Sequence, residues 1–403
     1  MRRLFLLFGT LLFVCPLIQA CNKVVENGPS RPKDQSKYYK AEDFIMGVDL
    51  SYVDQILDHG GQYLAGGKTV DPYEIFKEKG ANMVRLRLWH NPDWVQEING
   101  ADSKLYSGFE QVKSDIEKAK AHQYEVNLDL HYSDNWADPE KQDPPKAWQN
   151  ITDLKVLVDS VYNYTYTVLD QLGQEDLLPE MVQVGNEINC GMLSTNVPAG
   201  FPAMKICDQE NWENAGKVIN AGLQAVSDIE AKYKVSIETM LHVADPKNLD
   251  WWFGNMMTKG KVTDFDLIGL SYYPLWHNSI PFENMGQTLA DLKTKYKKQV
   301  VIAEVGYPFT TETNDDYHNL FGSQEPVKNY PFTVNGQHQF MQDLTKQMRE
   351  HQLRGVMYWE PAWITSEMKD QWGQGSAYEN CAFFGYDGQL LPTVNYMHFN
   401  YDK

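Results

Sequence analysis

Short apolar runs alternate with longer segments of helical period along most of this chain. Eight runs rich in β-branched and apolar residues read as strands: 44–53 (FIMGVDLSYV), 83–89 (MVRLRLW), 125–134 (EVNLDLHYSD), 181–188 (MVQVGNEI), 237–245 (IETMLHVAD), 267–274 (LIGLSYYP), 299–308 (QVVIAEVGYP) and 355–363 (GVMYWEPAW). Between 154 and 172, Leu154, Leu157, Val158, Val161, Val168, Leu169 and Leu172 recur on one helical face, and Gly173 is placed to cap that helix. Residues 213–230 repeat the pattern with Ala215, Val218, Ile219, Gly222, Ala225, Val226 and Ile229. Further helices are predicted at 73–79, 109–122, 288–296 and 338–351. Strand followed by helix, many times over, predicts an α/β fold: a single (β/α)8 TIM barrel over residues 41–403. A doubly wound open sheet is the alternative, but no Gly-x-Gly-x-x-Gly follows any strand. Long polar loops follow the strands, where barrels carry their sites.

The start of the chain has a different pattern. Arg2 and Arg3 precede an apolar run to Ile18, which is too short for a membrane span and ends in Gln19-Ala20-Cys21. Residues 1–20 read as an export signal. The Ala20-Cys21 junction resembles a bacterial lipobox, which implies cleavage and lipidation of Cys21, with several acyl chains giving stable anchoring. Residues 21–40 then read as a lipidated N-terminus and flexible tether. The expected location is the cell surface or the periplasmic face of the outer membrane. Export permits a disulfide: Cys190 with Cys207 closes one loop and leaves Cys381 free, or all three remain thiols.

Composition narrows the choice of ligand. A formal net charge of −18 argues against nucleic acid. Aromatics reach 13%, with 11 Trp and 23 Tyr, which suits both core packing and flat surfaces for sugar rings. No Cys-x2-Cys, His-x-His or His-Glu-x-x-His is present, which argues against a catalytic metal.

Two strands end in a carboxylate. The fourth closes on Gly185-Asn186-Glu187 and the seventh on Ala303-Glu304-Val305-Gly306. A carboxylate there costs desolvation energy unless it is paired or used. Strands four and seven face each other across a barrel mouth. Two carboxylates flanking one bond are what glycoside hydrolysis needs. Strand alternation puts Arg85, Arg87 and Trp89 on one face of strand two; Arg87, nearer the end, is expected to hold Glu304 ionised. Tyr273 is expected to donate to Glu304. His131 and His242, closing strands three and five, are read as substrate contacts or buried core residues. Asp49, Trp89, Asp134, Trp136, Trp359 and Trp363 are expected around the sugar cleft, each Trp having packing as its alternative.

The chain resembles glycoside hydrolase family 53, the arabinogalactan endo-β-1,4-galactanases. The resemblance rests on GVDLSY (47–52), VRLRLW (84–89), DLHYSDNWADPEKQDPPKAW (129–148), VQVGNEIN (182–189), GLSYYP (269–274), AEVGYP (303–308) and ENCAFF (379–384). It spans nearly the whole mature chain, and the His131–Pro139 block is its most specific part. It implies a retaining mechanism on β-1,4-galactan and galacto-oligosaccharides, with Glu187 as acid/base and Glu304 as nucleophile. It implies Asn186 on the sugar 2-hydroxyl and Trp359 under the reacting sugar, in a monomer needing no cofactor for catalysis. It also implies a structural calcium between the loops after strands seven and eight, held by Asn314, Asp316, His318, Ser376 and Glu379, with Asn314 where an Asp is expected. Two other functions stay open: a non-catalytic glycan-binding lipoprotein, and another retaining β-glycanase of the same clan.

Overall fold

The computed structural model describes residues 36–403. The predicted signal, Cys21 and most of the predicted tether lie outside the described residues. All eight predicted strands form, each shorter than its apolar run: β1 (Ile45–Asp49), β2 (Met83–Leu88), β3 (Glu125–Leu130), β4 (Met181–Val184), β5 (Glu238–Ala244), β6 (Leu267–Tyr272), β7 (Gln299–Val305) and β8 (Gly355–Tyr358). They pair in parallel in sequence order, and β1 closes on β8, so the sheet is a barrel.

Seven crossover helices cover the barrel: α1 (Pro72–Glu78), α2 (Phe109–Ala121), α3 (Leu154–Gln174), α4 (Trp212–Tyr233), α5 (Pro246–Thr258), α6 (Met285–Tyr296) and α7 (Val334–Glu350). After β8 a 3-10 segment, Pro392–His398, takes the place of an eighth helix. Helix α5 was not expected, although its signals are present. Asp245 accepts from the Lys247 backbone N–H, Pro246 occupies the first turn, and Leu249, Trp252, Phe253 and Met256 are buried. Gly173 does not cap α3 but lies inside it, where a Cβ would stand 2.6 Å from the ring of Tyr233 of α4, so close packing and not capping calls for glycine.

The last residues of the predicted tether are part of the fold. Ser36 bridges to Phe399, Lys37 pairs with Asp402, and Tyr39 is buried between Phe44 and Tyr401. A buried aromatic ring there outweighs the local polarity.

Apolar side chains fill the lower barrel: Ile45, Met83, Met181, Met240, Leu267, Val301, Ala303 and Met357 form one cluster with Ala41. Above it the inward residues turn polar. Asp49 is level with Arg85, and Arg87 with Asp129. The change from apolar to charged along the same inward face raises the chemistry to the C-terminal mouth.

Candidate active site

Two local departures from regular strand geometry aim the carboxylates. In β7, Leu270 of β6 pairs with Ile302, but Ser271 pairs with Glu304, so Ala303 is an extra residue. Val301 and Ala303 both face the barrel interior. Strict alternation would send Glu304 outward; the bulge turns it inward. After β4, Gly185 has φ +87 and Glu187 has φ +46. The left-handed glutamate costs about 1–2 kcal/mol and swings its side chain over the mouth.

Both glutamates line one cavity of about 790 Å³ at this mouth. Asn186, Trp136, Tyr273, Trp359 and Trp363 line it as expected. Asn186 Nδ2 spends one N–H on the Ala137 carbonyl at 2.8 Å and keeps the other for a ligand. Trp136 Nε1 is itself buried and has no hydrogen-bond partner among the described residues, so it is the ring of Trp136 that faces the cavity. The rings of Trp359 and Trp363 stand nearly perpendicular, with centroids 5.9 Å apart. Farther out, exposed Trp276 and Trp372 also border the cavity. Neither was expected; exposed aromatics on loops give no periodic signal.

The glutamates differ in electrostatic setting. Burial raises the pKa of Glu187 well above the carboxylate range, and the charge of Glu304 raises it further. Burial also raises Glu304, but Arg85 and Tyr273 oppose the rise. Arg85 Nη2 lies 2.9 Å from Glu304 Oε1, and Tyr273 donates to Oε2 at 2.8 Å. A shared proton therefore resides on Glu187, and Glu304 carries the charge.

Arg85, not Arg87, is the cation on Glu304. Its guanidinium also meets Asp49 and Asp129, each at 2.7 Å, and donates to Asn186 and Gln183. It pairs with Asp49 at its own level and, from one level below Arg87 in β2, reaches up the barrel axis to Asp129 and Glu304. Arg87 instead lies in an aromatic cage of Tyr52, Trp89 and Trp136, with its carbon 4.0 Å from the Trp136 centroid. Among the described residues its one carboxylate partner is Glu360 at 3.4 Å, which is fully buried. Position along the strand was the wrong guide; guanidinium reach decided the pairing.

Five other expected contacts sit behind the cleft rather than in it. Asp49 is spent on Arg85 and on Ser51. Trp89 is buried against Arg87 and Trp136. His131 Nε2 lies 3.0 Å from Asp129, and its Nδ1 accepts from the Ala137 N–H, steadying the loop that carries Trp136. Asp134 accepts from the backbone of Asn91 and Lys146. His242 is fully enclosed by Gln183, Asn186 and Ser271. All but Asp134 belong to the layer that orients the lining residues.

The expected calcium ligands do not converge. Asn314, Asp316 and His318 are exposed, whereas Ser376 and Glu379 are buried. The Ser376 hydroxyl donates to the Trp363 carbonyl. Glu379 accepts from the Asn314 backbone at 2.5 Å and from Thr365. Among the described residues no group of three or more His, Cys, Asp or Glu is arranged for a metal. Asp315, which was not singled out, joins the two loops by accepting from the Ser376 N–H at 2.9 Å, and it shares the single Thr365 hydroxyl proton with Glu379. His318 borders the cleft instead. Cys190 and Cys207 form a disulfide in the loop after β4, and Cys381 is a free, buried thiol.

Two buried carboxyls of unequal proton affinity, ringed by flat aromatic faces, are the equipment for breaking a glycosidic bond, and this barrel is a glycoside hydrolase. It belongs to glycosyl hydrolase family 53, whose model matches residues 45–397. The chain is 40% identical over 344 residues to the arabinogalactan endo-beta-1,4-galactanase of Cellvibrio japonicus, covering 85% of this chain and 86% of the relative. It is 30% identical to the endo-beta-1,4-galactanase of Bacillus subtilis, covering 88% and 85%. Among solved structures it resembles the Ignisphaera aggregans GH53 catalytic domain, with TM-score 0.78 and 31% identity over 91% of this chain and 100% of that one.

Proposed function

We propose that this protein is an endo-β-1,4-galactanase that cleaves β-1,4-galactan, the galactan of pectin side chains, with retention of configuration. The observation that carries the reading is the unequal treatment of the two glutamates: Arg85 and Tyr273 attend Glu304, whereas Glu187 faces that charge. The names of the Cellvibrio and Bacillus relatives supply the substrate.

Glu304 attacks the anomeric carbon as Glu187 passes its proton to the departing glycosidic oxygen. A galactosyl ester forms on Glu304, and the shortened chain leaves. Esterification removes the Glu304 charge that raised Glu187, so Glu187 is then fit to take a proton from water. That water attacks the same carbon and frees Glu304. Residues 1–21 support export and a lipid anchor on Cys21, which would hold the enzyme at a membrane surface beside its polymer.

The test is product analysis on linear β-1,4-galactan with wild type and Glu187→Ala side by side. Short galacto-oligosaccharides from wild type, and a loss of about 10²–10⁴-fold in the variant, support the reading. Galactan binding without products from wild type would make this a glycan-binding protein. No binding would redirect the search to other β-glycans.

A further inference from the structure

The loop after β3 sends one buried amide to the turn that carries Glu187. It belongs to Gln142, inside the sequence block 129–148. Its Nε2 donates to the carbonyls of Asn186 at 2.8 Å, Glu187 at 3.2 Å and Asp138 at 3.0 Å. A carbonyl oxygen can only accept, so carbonyls gathered around one amide atom fix that atom as the nitrogen and settle which way the amide faces.

Two of these carbonyls flank one Cα. The Asn186 carbonyl lies in the peptide plane before the Glu187 Cα, and the Glu187 carbonyl lies in the plane after it. Each peptide is rigid, so holding both oxygens holds both backbone torsions of Glu187. Its φ of +46 is left-handed, a conformation that persists only where the surroundings impose it. Glu304 is fixed in another way, at its carboxyl, by Arg85 and Tyr273. The Asn186 side chain has its own anchors in Arg85, Gln183 and the Ala137 carbonyl. Beyond Glu187 the turn is tied to β5: the Ile188 N–H donates to the His242 carbonyl, and the Asn189 amide pairs with the backbone of Ala244. Losing the Gln142 amide therefore loosens Glu187 without releasing the loop.

Gln142 is itself held. Its N–H donates to the Thr195 hydroxyl at 2.6 Å, and its carbonyl accepts from the Ser194 N–H at 2.8 Å. Both partners lie in the segment closed by the Cys190–Cys207 disulfide.

We propose that Gln142 is a positioning residue: its amide clamps the two peptide planes flanking Glu187 and so sets where the acid/base carboxyl stands against the glycosidic oxygen. The inference rests on the reading of Glu187 as the acid/base of a galactanase. Without the amide the turn relaxes, and proton transfer slows in both steps. Attack by Glu304 keeps its geometry.

The experiment compares β-1,4-galactan with dinitrophenyl β-1,4-galactobioside as substrates of wild type, Gln142→Met and Glu187→Ala. Galactan needs a proton on its leaving oxygen, whereas dinitrophenolate departs without one. Glu187→Ala sets the pattern of a lost acid/base: kcat/KM falls far more on galactan than on the aryl glycoside. Gln142→Met keeps the length of the side chain and loses its donors. It is expected to show the same pattern, with a loss of up to about 10²-fold on galactan and little change in kcat/KM on the aryl glycoside. On the aryl glycoside its kcat and KM should fall together, because the ester on Glu304 accumulates when water is poorly activated. Azide should then raise kcat: it displaces Glu304 from the anomeric carbon with no proton to give up, forming the glycosyl azide and freeing the carboxylate. Equal losses on both substrates overturn the proposal, because they mean damage to the barrel and not to the acid/base; an undiminished rate on galactan overturns it as well. Should Gln142→Met not fold, Gln142→Asn, which keeps the amide and draws it back by a methylene, is read in the same way. A wild type inactive on galactan, or Glu187→Ala losing neither substrate or both alike, removes the reading underneath. The expected pattern in Glu187→Ala without it in Gln142→Met removes this inference alone.

Discussion

Replacing Arg85 by Met removes the one guanidinium shared by three buried carboxylates. Asp49 and Asp129 lie 2.7 Å from it and Glu304 lies 2.9 Å away, and the Arg85 side chain is 1% exposed. Among the described residues, the only other ion-pair partner of any of the three is His131, beside Asp129. Surface pairs are worth at most about 1 kcal/mol, but removing one partner of a buried pair costs about 3–5 kcal/mol because the other charge is stranded. Against a total stability of about 5–15 kcal/mol this is a large fraction, and for a domain of this size it lowers Tm by about 5 °C. The sign of the pH dependence follows. Burial alone would raise Asp129, yet Arg85 and His131 hold it below the usual range, so its contribution is present above the unfolded pKa and lost on acidification. Without Arg85 the folded pKa of Asp129 rises above its unfolded value, and that of Glu304, already raised by burial, rises further. The variant then regains stability as pH falls through those raised values, and its deficit narrows. Urea denaturation of both proteins at pH 7 and pH 4.5 measures this. A deficit below about 1 kcal/mol at pH 7, or one equal at both pH values, would refute the reasoning. Arg87→Met is the comparison: it loses three ring contacts and one 3.4 Å pair, and strands one buried carboxyl rather than three, so its deficit is expected to be the smaller of the two.

Tyr273→Phe deletes the hydroxyl that lowers Glu304, so the nucleophile ionises at a higher pH and the acidic limb of kcat/KM moves up; an unmoved limb would remove Tyr273 from this role. A chelator should leave the melting curve unchanged, because Asp315, Thr365 and Glu379 join the loops after β7 and β8 by hydrogen bonds; a lower Tm with calcium in elemental analysis would restore the metal. Cys21→Ser should move the protein from the membrane fraction to the soluble fraction, and unchanged membrane association would reject lipidation.

The barrel was legible because its determinants are local and repeated. Period-two and period-3.6 patterns mark every barrel strand and six of the seven crossover helices, and the Asp245-Pro246 cap of α5 was a readable signal that went unread. Both glutamates were legible as carboxylates at strand ends. How they come to face each other was not. The Ala303 bulge adds a residue without changing the apolar pattern, and the left-handed φ of Glu187 has no residue-type signature. The exchange of Arg85 for Arg87 has the same origin. Alternation puts both on one face, but which of them meets Glu304 depends on how far a guanidinium reaches up a tilted barrel, a three-dimensional quantity. The misplacement of Asp49, Trp89, His131 and His242 also follows one rule. They face inward from a strand or stand at its end, one level below residues that touch the cavity, so inward direction fixes the side of the sheet and not the depth. A reading that separates these levels has to ask which donors each inward polar group must satisfy. His242 answers through Gln183, Asn186, Glu187 and Ser271, and that enclosure marks it as support for the acid/base rather than a contact with sugar.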